Sequence, residues 1–168
     1  MRAIAVIPFI GLALIACLIW LASKAKVTSE DREMFVVREG DPDMADATAR
    51  AQAGLPAFLE LARAPRPTVT SMSVKVAFQE GRNSEFFWIS PFEEKDGHLV
   101  GVVNNTPEYI HSVSLGQVVA FEKRDIADWL YRENGKMYGN FTLCALLKRL
   151  SPEEAETMRQ KYAATCEP

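Results

Sequence analysis

Twenty consecutive residues near the N-terminus, Ala3 to Ala22, carry no charged side chain. As a helix rising about 1.5 Å per residue, they would span about 30 Å, which is the hydrocarbon thickness of a bilayer. A domain built from the rest of the chain has little room to bury a helix that is apolar on every side. We therefore expect this segment to direct the chain to a membrane.

Three fates of the segment stay open. An uncleaved anchor fits its length, which exceeds the ~7–15-residue apolar core of a signal peptide. Cleavage after Ala25 fits the small-residue rule, because Ser23 supplies the second small position. The four residues that end at Cys17 resemble a lipobox, although the residues after this cysteine remain apolar. Arg2 precedes the segment and Lys24 follows it, so the positive-inside rule leaves the orientation undecided.

The remainder of the chain is acidic. The whole chain has a net charge of −3, and residues 1–25 hold two basic residues and no acidic one, which leaves −5 for the rest. Nucleic acids and anionic lipid surfaces are polyanions, so neither is an expected partner of this part. We divide the chain into a membrane segment (1–25), a linker (26–40) and one globular domain (41–168).

The domain begins with a predicted helix. Asp41 is a suitable N-cap, and Pro42 suits the first helical position. Apolar residues then recur at steps of three and four along one face: Met44, Ala47, Ala51, Leu55, Phe58 and Ala62. We expect Gly54 and Pro56 to kink this helix or split it in two, since proline removes a backbone donor. Residues 64–67 end it.

The apolar period then changes to two. Met72, Val74, Val76 and Phe78 alternate with small or polar residues, which predicts a half-buried strand. Further strands are predicted at 85–90, 98–104 and 117–122. The connecting turns are too short for parallel crossovers, so the sheet should be mainly antiparallel.

Two helices are predicted to close the domain. Residues 124–131 are ambiguous between strand and short helix, and residues 142–150 have a helical pattern. A capping box at Ser151 and Glu154 begins a last helix that runs to about residue 163. The predicted fold class is α+β, with an N-terminal helix, a mainly antiparallel sheet of four to six strands and two C-terminal helices.

The sequence contains few residue patterns that are typical of a metal, cofactor or catalytic site. His98 and His111 are the two histidines, and neither lies in a spacing typical of a metal site. No glycine-rich phosphate loop follows a strand, so no cofactor is implied. Asp125 and Asp128 are paired carboxylates that suit acid–base work if their pKa values differ. The simpler interpretation is that these carboxylates accept hydrogen bonds from the local backbone.

Two cysteines lie in the globular part, at Cys144 and Cys166. An even number in an exported domain is compatible with one disulfide, and a helical hairpin could bring the two together. The alternative is two unpaired thiols, with Cys144 as a small core residue. The sequence leaves this choice open, because it does not reveal pairing geometry.

The order of several short motifs resembles the YegJ-like family, a bacterial family of domains of unknown function. The resemblance is carried by Asp43-Met44, residues 51–59, Val74-Lys75-Val76, residues 85–89, residues 101–104 with Pro107, Gly116, residues 125–129 and residues 135–142. It covers about 110 residues. It implies no established activity and supplies no catalytic residues, and both Cys144 and Cys166 look peculiar to this chain.

A candidate binding surface follows from the family-like residues near predicted strand ends. These residues are Trp88, Asn104, Pro107, Asp128, Trp129, Asn140 and Thr142. If they converge on one face, that face is the best candidate site, and otherwise they fix turns and core packing.

The function expected from these observations is a non-catalytic binding or interaction module of the bacterial envelope. The membrane is its expected partner through the N-terminal segment, together with an unidentified protein or small ligand. We expect the domain to lie in the periplasm, either anchored in the inner membrane or exported. Two alternatives remain: a small hydrolase that uses Asp128 or Asp125, and an immunity-like or accessory inhibitor protein.

Overall fold

The computed structural model describes residues 40–166. The predicted membrane segment and almost all of the predicted linker lie outside these residues. The elements in chain order are α1 (Pro42–Arg63), β1 (Val69–Glu80), β2 (Asn83–Lys95), β3 (His98–Val103), β4 (Val118–Phe121), a 3-10 turn (Lys123–Asp125), β5 (Ile126–Glu133), β6 (Lys136–Gly139), α2 (Phe141–Leu147) and α3 (Pro152–Tyr162). Within residues 40–166, no helix is long and apolar enough to cross a membrane.

Helix α1 begins as its sequence predicts. The Asp41 carboxylate accepts hydrogen bonds from the backbone N–H groups of Asp43 and Met44, at 3.0 and 3.3 Å. Helix α1 runs without interruption through Pro56 to Arg63, so the expected split into two helices does not occur. Pro56 lies on the exposed side of the helix, so its ring projects away from the core.

The six strands form one antiparallel sheet in the order β4-β3-β2-β1-β5-β6. Tight turns at Asp96-Gly97 and Asn134-Gly135 join β2 to β3 and β5 to β6, with positive φ at all four residues. This backbone matches the twist of a hairpin and explains why these residue pairs occur there. The prediction of a mainly antiparallel sheet is confirmed.

Alternation along the strands gives the sheet an inner and an outer face. The register places Val74 of β1 beside Ile89 of β2 and Trp129 of β5 on the inner face. Helix α1 covers this face, and Phe58 stacks on Trp129 with ring centroids 4.8 Å apart. The buried cluster between helix and sheet includes Ala51, Leu55, Phe58, Val74, Val76, Phe87, Ile89, Leu99, Val103, Val119, Phe121, Ile126 and Trp129.

The ambiguous stretch at residues 124–131 is resolved by the fold. A 3-10 turn ends at Asp125, and strand β5 begins at Ile126. The sequence could not decide this point, because β5 carries an irregularity in its pairing with β1 between Lys75 and Val76. That irregularity interrupts the period-two pattern expected of a strand.

The two C-terminal helices and the residues after them close the domain. Ser151 and Glu154 form the predicted capping box at the start of α3. Beyond α3, the backbone of residues 163–165 pairs with Met137 of β6, through hydrogen bonds of 2.8 and 3.1 Å. This C-terminal strap, residues 163–166, therefore covers the β6 edge of the sheet, and Cys166 at its end is joined to Cys144 of α2 by a disulfide.

Candidate functional site

A row of side chains crosses the outer face of the sheet. In the register of the central strands, Lys75 of β1 lies between Asp128 of β5 and Trp88 of β2. Residues opposite one another on neighbouring strands have side chains within contact distance. The row therefore brings together two residues that the sequence predicts as site residues, with Lys75 between them.

Asp128 is fully buried and is saturated with hydrogen bonds. One carboxylate oxygen accepts from the backbone N–H groups of Trp129 and Phe141, at 2.8 and 3.1 Å. The other accepts from the backbone N–H and the hydroxyl of Thr142, at 2.8 and 2.6 Å. Burial raises the pKa of the Asp128 carboxyl, while the hydrogen bonds from Thr142 and Trp129 act in the opposite direction.

These bonds make Asp128 the cap of helix α2. Asn140 occupies the N-cap position with φ of 52°, and its side chain makes no capping hydrogen bond. The first N–H groups of a helix lack partners within the helix, so another group must satisfy them. Asp128 does this from strand β5, which makes its role structural in this conformation.

Lys75 is half-buried and occupies the centre of the row. Its Nζ donates a hydrogen bond to the Thr142 hydroxyl at 3.1 Å. The same ammonium lies 5.5 Å from the ring centre of Phe86 and 5.7 Å from that of Trp88, which is the range of cation–π contacts. Burial lowers the pKa of Lys75, and the nearby Asp128 carboxylate acts to raise it. We call Phe86, Lys75 and Trp88 the aromatic–lysine site.

Trp129 lies on the inner face and belongs to the core. Only 9% of its surface is exposed, and its indole N–H donates to the carbonyl oxygen of Ala51 at 2.7 Å. Thr142 is also buried. Of the seven residues predicted as a binding surface, Asp128, Trp129 and Thr142 therefore lie in the interior, and Asn140 supports the start of α2.

The other three predicted residues lie at the end of the sheet where β2 begins and β3 ends. The Asn104 N–H donates to the carbonyl of Trp88 at 2.8 Å, and the Trp88 N–H donates to the side chain of Asn105, also at 2.8 Å. Pro107 follows in the connection between β3 and β4. The structure thus places Asn104 beside Trp88, with Pro107 three residues further along the chain, and puts Trp129 on the other face of the sheet.

The connection from residue 104 to residue 117, here called the long loop, is held by carboxylates of the β1–β2 hairpin. Glu85 accepts from the N–H groups of Glu108, Tyr109 and Ile110, at 2.9, 2.9 and 3.2 Å. Glu80 accepts from the His111 N–H at 2.7 Å. Ile110 and Val113 are buried in the core and anchor the loop from below. These contacts fix a connection that contains no helix or strand.

Four large apolar side chains of the described residues are mainly exposed, and all four lie at this end of the sheet. They are Phe86 (49% exposed), Tyr109 (53%), Leu115 (58%) and Val118 (68%). We call these four residues the apolar end. Sequence reasoning missed all four, because an apolar residue gives no signal of its own exposure. Only Phe86 could have been found, since it alternates with the buried Phe87 and shares a face with Trp88.

The remaining predicted groups are placed elsewhere. The Asp125 carboxylate accepts the Glu122 N–H at 2.9 Å and so caps the 3-10 turn. His98 lies 3.2 Å from Glu122 at the surface. Among residues 40–166, no three His, Cys, Asp or Glu side chains are grouped so that they could hold a metal ion.

Two open recesses of about 450 and 360 Å³ lie between the C-terminal part of α1 and the sheet, on either side of Ala62 and Phe92. The first is lined mainly by α1, β2 and β3, and the second by β1 and the β2 residues near Pro91. None of the seven predicted site residues lines either recess. The candidate site is therefore a surface, formed by the apolar end and the adjoining aromatic–lysine site.

Comparison with known proteins agrees with the resemblance noted in the sequence. Residues 41–164 match the family described as "Uncharacterized protein conserved in bacteria (DUF2314)". The uncharacterized protein YegJ of Escherichia coli K12 is 30% identical over 118 residues, which cover 70% of this chain and 76% of that protein. A putative ankyrin repeat protein of Neisseria meningitidis serogroup B is 30% identical over 132 residues, which cover 74% of this chain and 52% of that protein.

No solved structure matches the chain. The family match spans most of the chain, including every helix and strand of the described domain. The chain therefore belongs to the DUF2314 family of uncharacterized proteins conserved in bacteria.

Proposed function

We propose that this chain is a non-catalytic protein-interaction module of the bacterial cell envelope, and that the apolar end is its binding surface. One observation carries the proposal. The four large apolar side chains that the described residues expose lie near the start of β2, in the long loop and at the first residue of β4, all towards the end of the sheet where β3 stops. Single exposed apolar residues are common, whereas a group of them indicates a contact surface.

The long loop supports this assignment. A connection of this length without regular structure is uncommon in a compact domain and is often functional. Glu85 and Glu80 bind four of its backbone N–H groups, so Tyr109 and its neighbours are held in place before any partner arrives. A surface that is already ordered loses less conformational entropy on binding.

The position of the acidic residues favours a binding role over hydrolysis. Asp128 has no exposed surface, and both of its oxygens already accept hydrogen bonds. A general acid or base must reach the proton that it transfers. Asp125 is occupied as the cap of a turn. The burial of Asp128 and the capping role of Asp125 support the binding role.

The periplasm is the compartment that we propose for the domain. The apolar segment from Ala3 to Ala22 supports insertion or export. The disulfide between Cys144 and Cys166 supports the outward orientation, because disulfides persist in the periplasm and are rare in the cytosol. The Neisseria relative is about twice as long as the part matched, which is compatible with a domain that works beside other sequence.

The binding surface can be tested by photo-crosslinking in cells. A photoreactive amino acid at Leu115 or Val118 should capture the same protein partner, and Leu115→Lys should abolish capture through position 118. The matched control is the same reagent at Ala57, an exposed position on α1, which should capture nothing in common with the first two. Equal capture at all three positions, or capture that Leu115→Lys does not affect, would contradict the proposed surface.

The location can be tested by protease access. In intact cells the domain should be protected, and in spheroplasts that retain the inner membrane it should be digested. Fractionation then separates the fates of the N-terminus, since an anchored or lipidated chain remains with membranes and a cleaved one is released. A domain that stays protected in spheroplasts would place it in the cytoplasm and refute the periplasmic proposal.

A further inference from the structure

We propose further that Lys75, flanked by Phe86 and Trp88, is the point at which the partner protein inserts a carboxylate, supplied by an Asp or Glu side chain that stands beside apolar residues. This inference rests on the proposed function, because it names the chemistry of the segment that the surface would bind. Phe86 belongs both to the apolar end and to the aromatic–lysine site, so one side chain is shared by the two.

The Lys75 ammonium has hydrogen-bond donors that the described domain does not use. A lysine ammonium has three N–H donors. The contact with Thr142 uses one of them, and the rings of Phe86 and Trp88 lie beside the cation without supplying an acceptor oxygen. Lys75 therefore retains the capacity to donate to a further acceptor.

The charge of Lys75 has no carboxylate of the described domain in direct contact. Among the described residues, no carboxylate forms an ion pair with Lys75: the charge of Asp128 acts on it from a distance, and the hydrogen-bonded connection between the two runs through the Thr142 hydroxyl. Asp128 cannot turn towards the ammonium without breaking the hydrogen bonds that cap α2. Within residues 40–166, Lys75 is thus a half-buried cation with no anion in direct contact, and the more distant Asp128 only partly offsets the unfavourable burial of its charge. A carboxylate from a partner protein would supply an anion in direct contact with Lys75.

Aromatic rings surround the Lys75 ammonium on the outer face. Phe86 is half-exposed and Trp88 lies beside it, so an approaching carboxylate would meet apolar ring surface on two sides. Exclusion of water by aromatic neighbours strengthens a charge-assisted hydrogen bond. The apolar end would contact the apolar residues that flank the partner's acidic side chain. This combination favours an acidic and apolar protein segment over a purely acidic one.

The test uses benzoate as the probe, because it carries a carboxylate on an apolar ring, and benzamide as its uncharged match. The full chain in detergent micelles is titrated with each, and the indole N–H signals of Trp88 and Trp129 are followed by NMR. Benzoate should shift the Trp88 signal in a saturable manner and leave the buried Trp129 signal unchanged. Benzamide should bind at least about tenfold more weakly, the factor expected when a hydrogen bond to a charged group is lost.

Two variants complete the experiment. Lys75→Met keeps the apolar stem and should weaken benzoate binding at least about tenfold. Phe86→Ala changes a half-exposed residue outside the buried core cluster. It should also weaken binding, which keeps the test decisive if Lys75→Met does not fold. Equal binding of benzoate and benzamide, or benzoate binding unchanged in Phe86→Ala, would overturn the inference. The crosslinking result at Leu115 and Val118 is independent of this outcome, so the two proposals can fail separately.

Discussion

At the scale of single residues, Asp128 is the side chain on which the local structure most depends. It connects strand β5 to the start of α2, and it is the only carboxylate among the described residues that is completely buried. When a buried acceptor is removed, the donors that it bound are left without partners. The resulting loss of folding free energy is larger than the net contribution of the hydrogen bond itself. The interior therefore accommodates the Asp128 carboxyl group through the four hydrogen bonds that it accepts.

The first prediction follows from this arrangement. Asp128→Asn should destabilise the domain by about 2–4 kcal/mol, because the amide N–H₂ would face the donors that the carboxylate now accepts. Urea denaturation followed by tryptophan fluorescence measures the loss. The matched control is Asp125→Asn, which keeps an acceptor for the Glu122 N–H and should cost less than about 1 kcal/mol. Equal losses for the two variants would contradict the assigned role of Asp128.

A second prediction concerns two glycines with the same backbone angle. Gly135 and Gly139 both have φ of +78°. A Cβ at Gly135 would meet nothing within 4 Å, whereas one at Gly139 would lie 2.3 Å from the carbonyl oxygen of Trp129 and 2.7 Å from its ring. Gly135→Ala should cost about 1–2 kcal/mol from backbone strain alone.

Gly139→Ala should cost clearly more, because the clash adds to the same strain and involves backbone that cannot move aside. Denaturation midpoints of the two variants, measured side by side, give the comparison. Equal destabilisation by the two substitutions would contradict the close contact between Gly139 of β6 and Trp129.

At the scale of elements, a cluster of charged and polar groups joins the start of β1 to the end of β5. Glu133 accepts from Arg66 at 2.8 and 2.9 Å and from the Thr68 hydroxyl at 2.6 Å. These bonds hold the α1–β1 connection against the neighbouring strand. They also lower the pKa of Glu133 from its ordinary value of 4.5 to about 2.

The pH dependence of stability follows from that shift. A carboxyl whose pKa is lowered by folding contributes stability above its unfolded value, and the contribution is lost as the pH falls through the folded value. The difference in unfolding free energy between the natural chain and Glu133→Gln should therefore have its maximum value above pH 4.5. It should disappear as the pH approaches 2.

Urea midpoints measured across this pH range test the prediction. Arg66→Gln should remove the larger part of the same pH-dependent component and leave the part due to Thr68. The double variant should lose little beyond Glu133→Gln, since both changes break the Arg66–Glu133 ion pair. A difference between the natural chain and Glu133→Gln that stays constant from pH 4.5 down to pH 2 would show that the ion pair does not cause it.

At the scale of the whole domain, the two edges of the sheet differ in how they are protected from pairing with other strands. The C-terminal strap pairs with β6, and the disulfide fixes that strap to α2. The opposite edge is β4, a strand of only four residues. An exposed sheet edge invites association with other strands, and a short edge or a covering segment limits this.

The disulfide gives a prediction at this scale. It closes a loop with a sequence separation of 22, and the chain-entropy estimate for a loop of that length is about 3 kcal/mol. A reductant should therefore lower the stability of the natural chain by about that amount. The matched control is the variant with Cys144→Ser and Cys166→Ser, which the reductant should leave unchanged. A reductant effect of equal size in both proteins would argue that the disulfide does not contribute.

The sequence alone determined most of the fold, because its elements are specified by local signals. Asp41 with Pro42 marked the start of α1, Ser151 with Glu154 marked the start of α3, and the alternation from Met72 to Phe78 marked β1. Each of these patterns depends only on residues close together in the chain, through capping or through the two-residue repeat of a strand. The family relationship also followed from the order of short motifs.

Only the tertiary structure decided where the candidate site lies. Trp88 and Trp129 have the same side chain, yet the sheet places one on the outer face and the other against α1, because burial depends on what covers each face. Lys75, Asp128 and Thr142 are far apart in sequence and meet only through strand pairing. Sequence reasoning therefore named Asp128 as a candidate for chemistry and overlooked Lys75 and the apolar end, since hydrogen-bond saturation and exposure are properties of the folded chain.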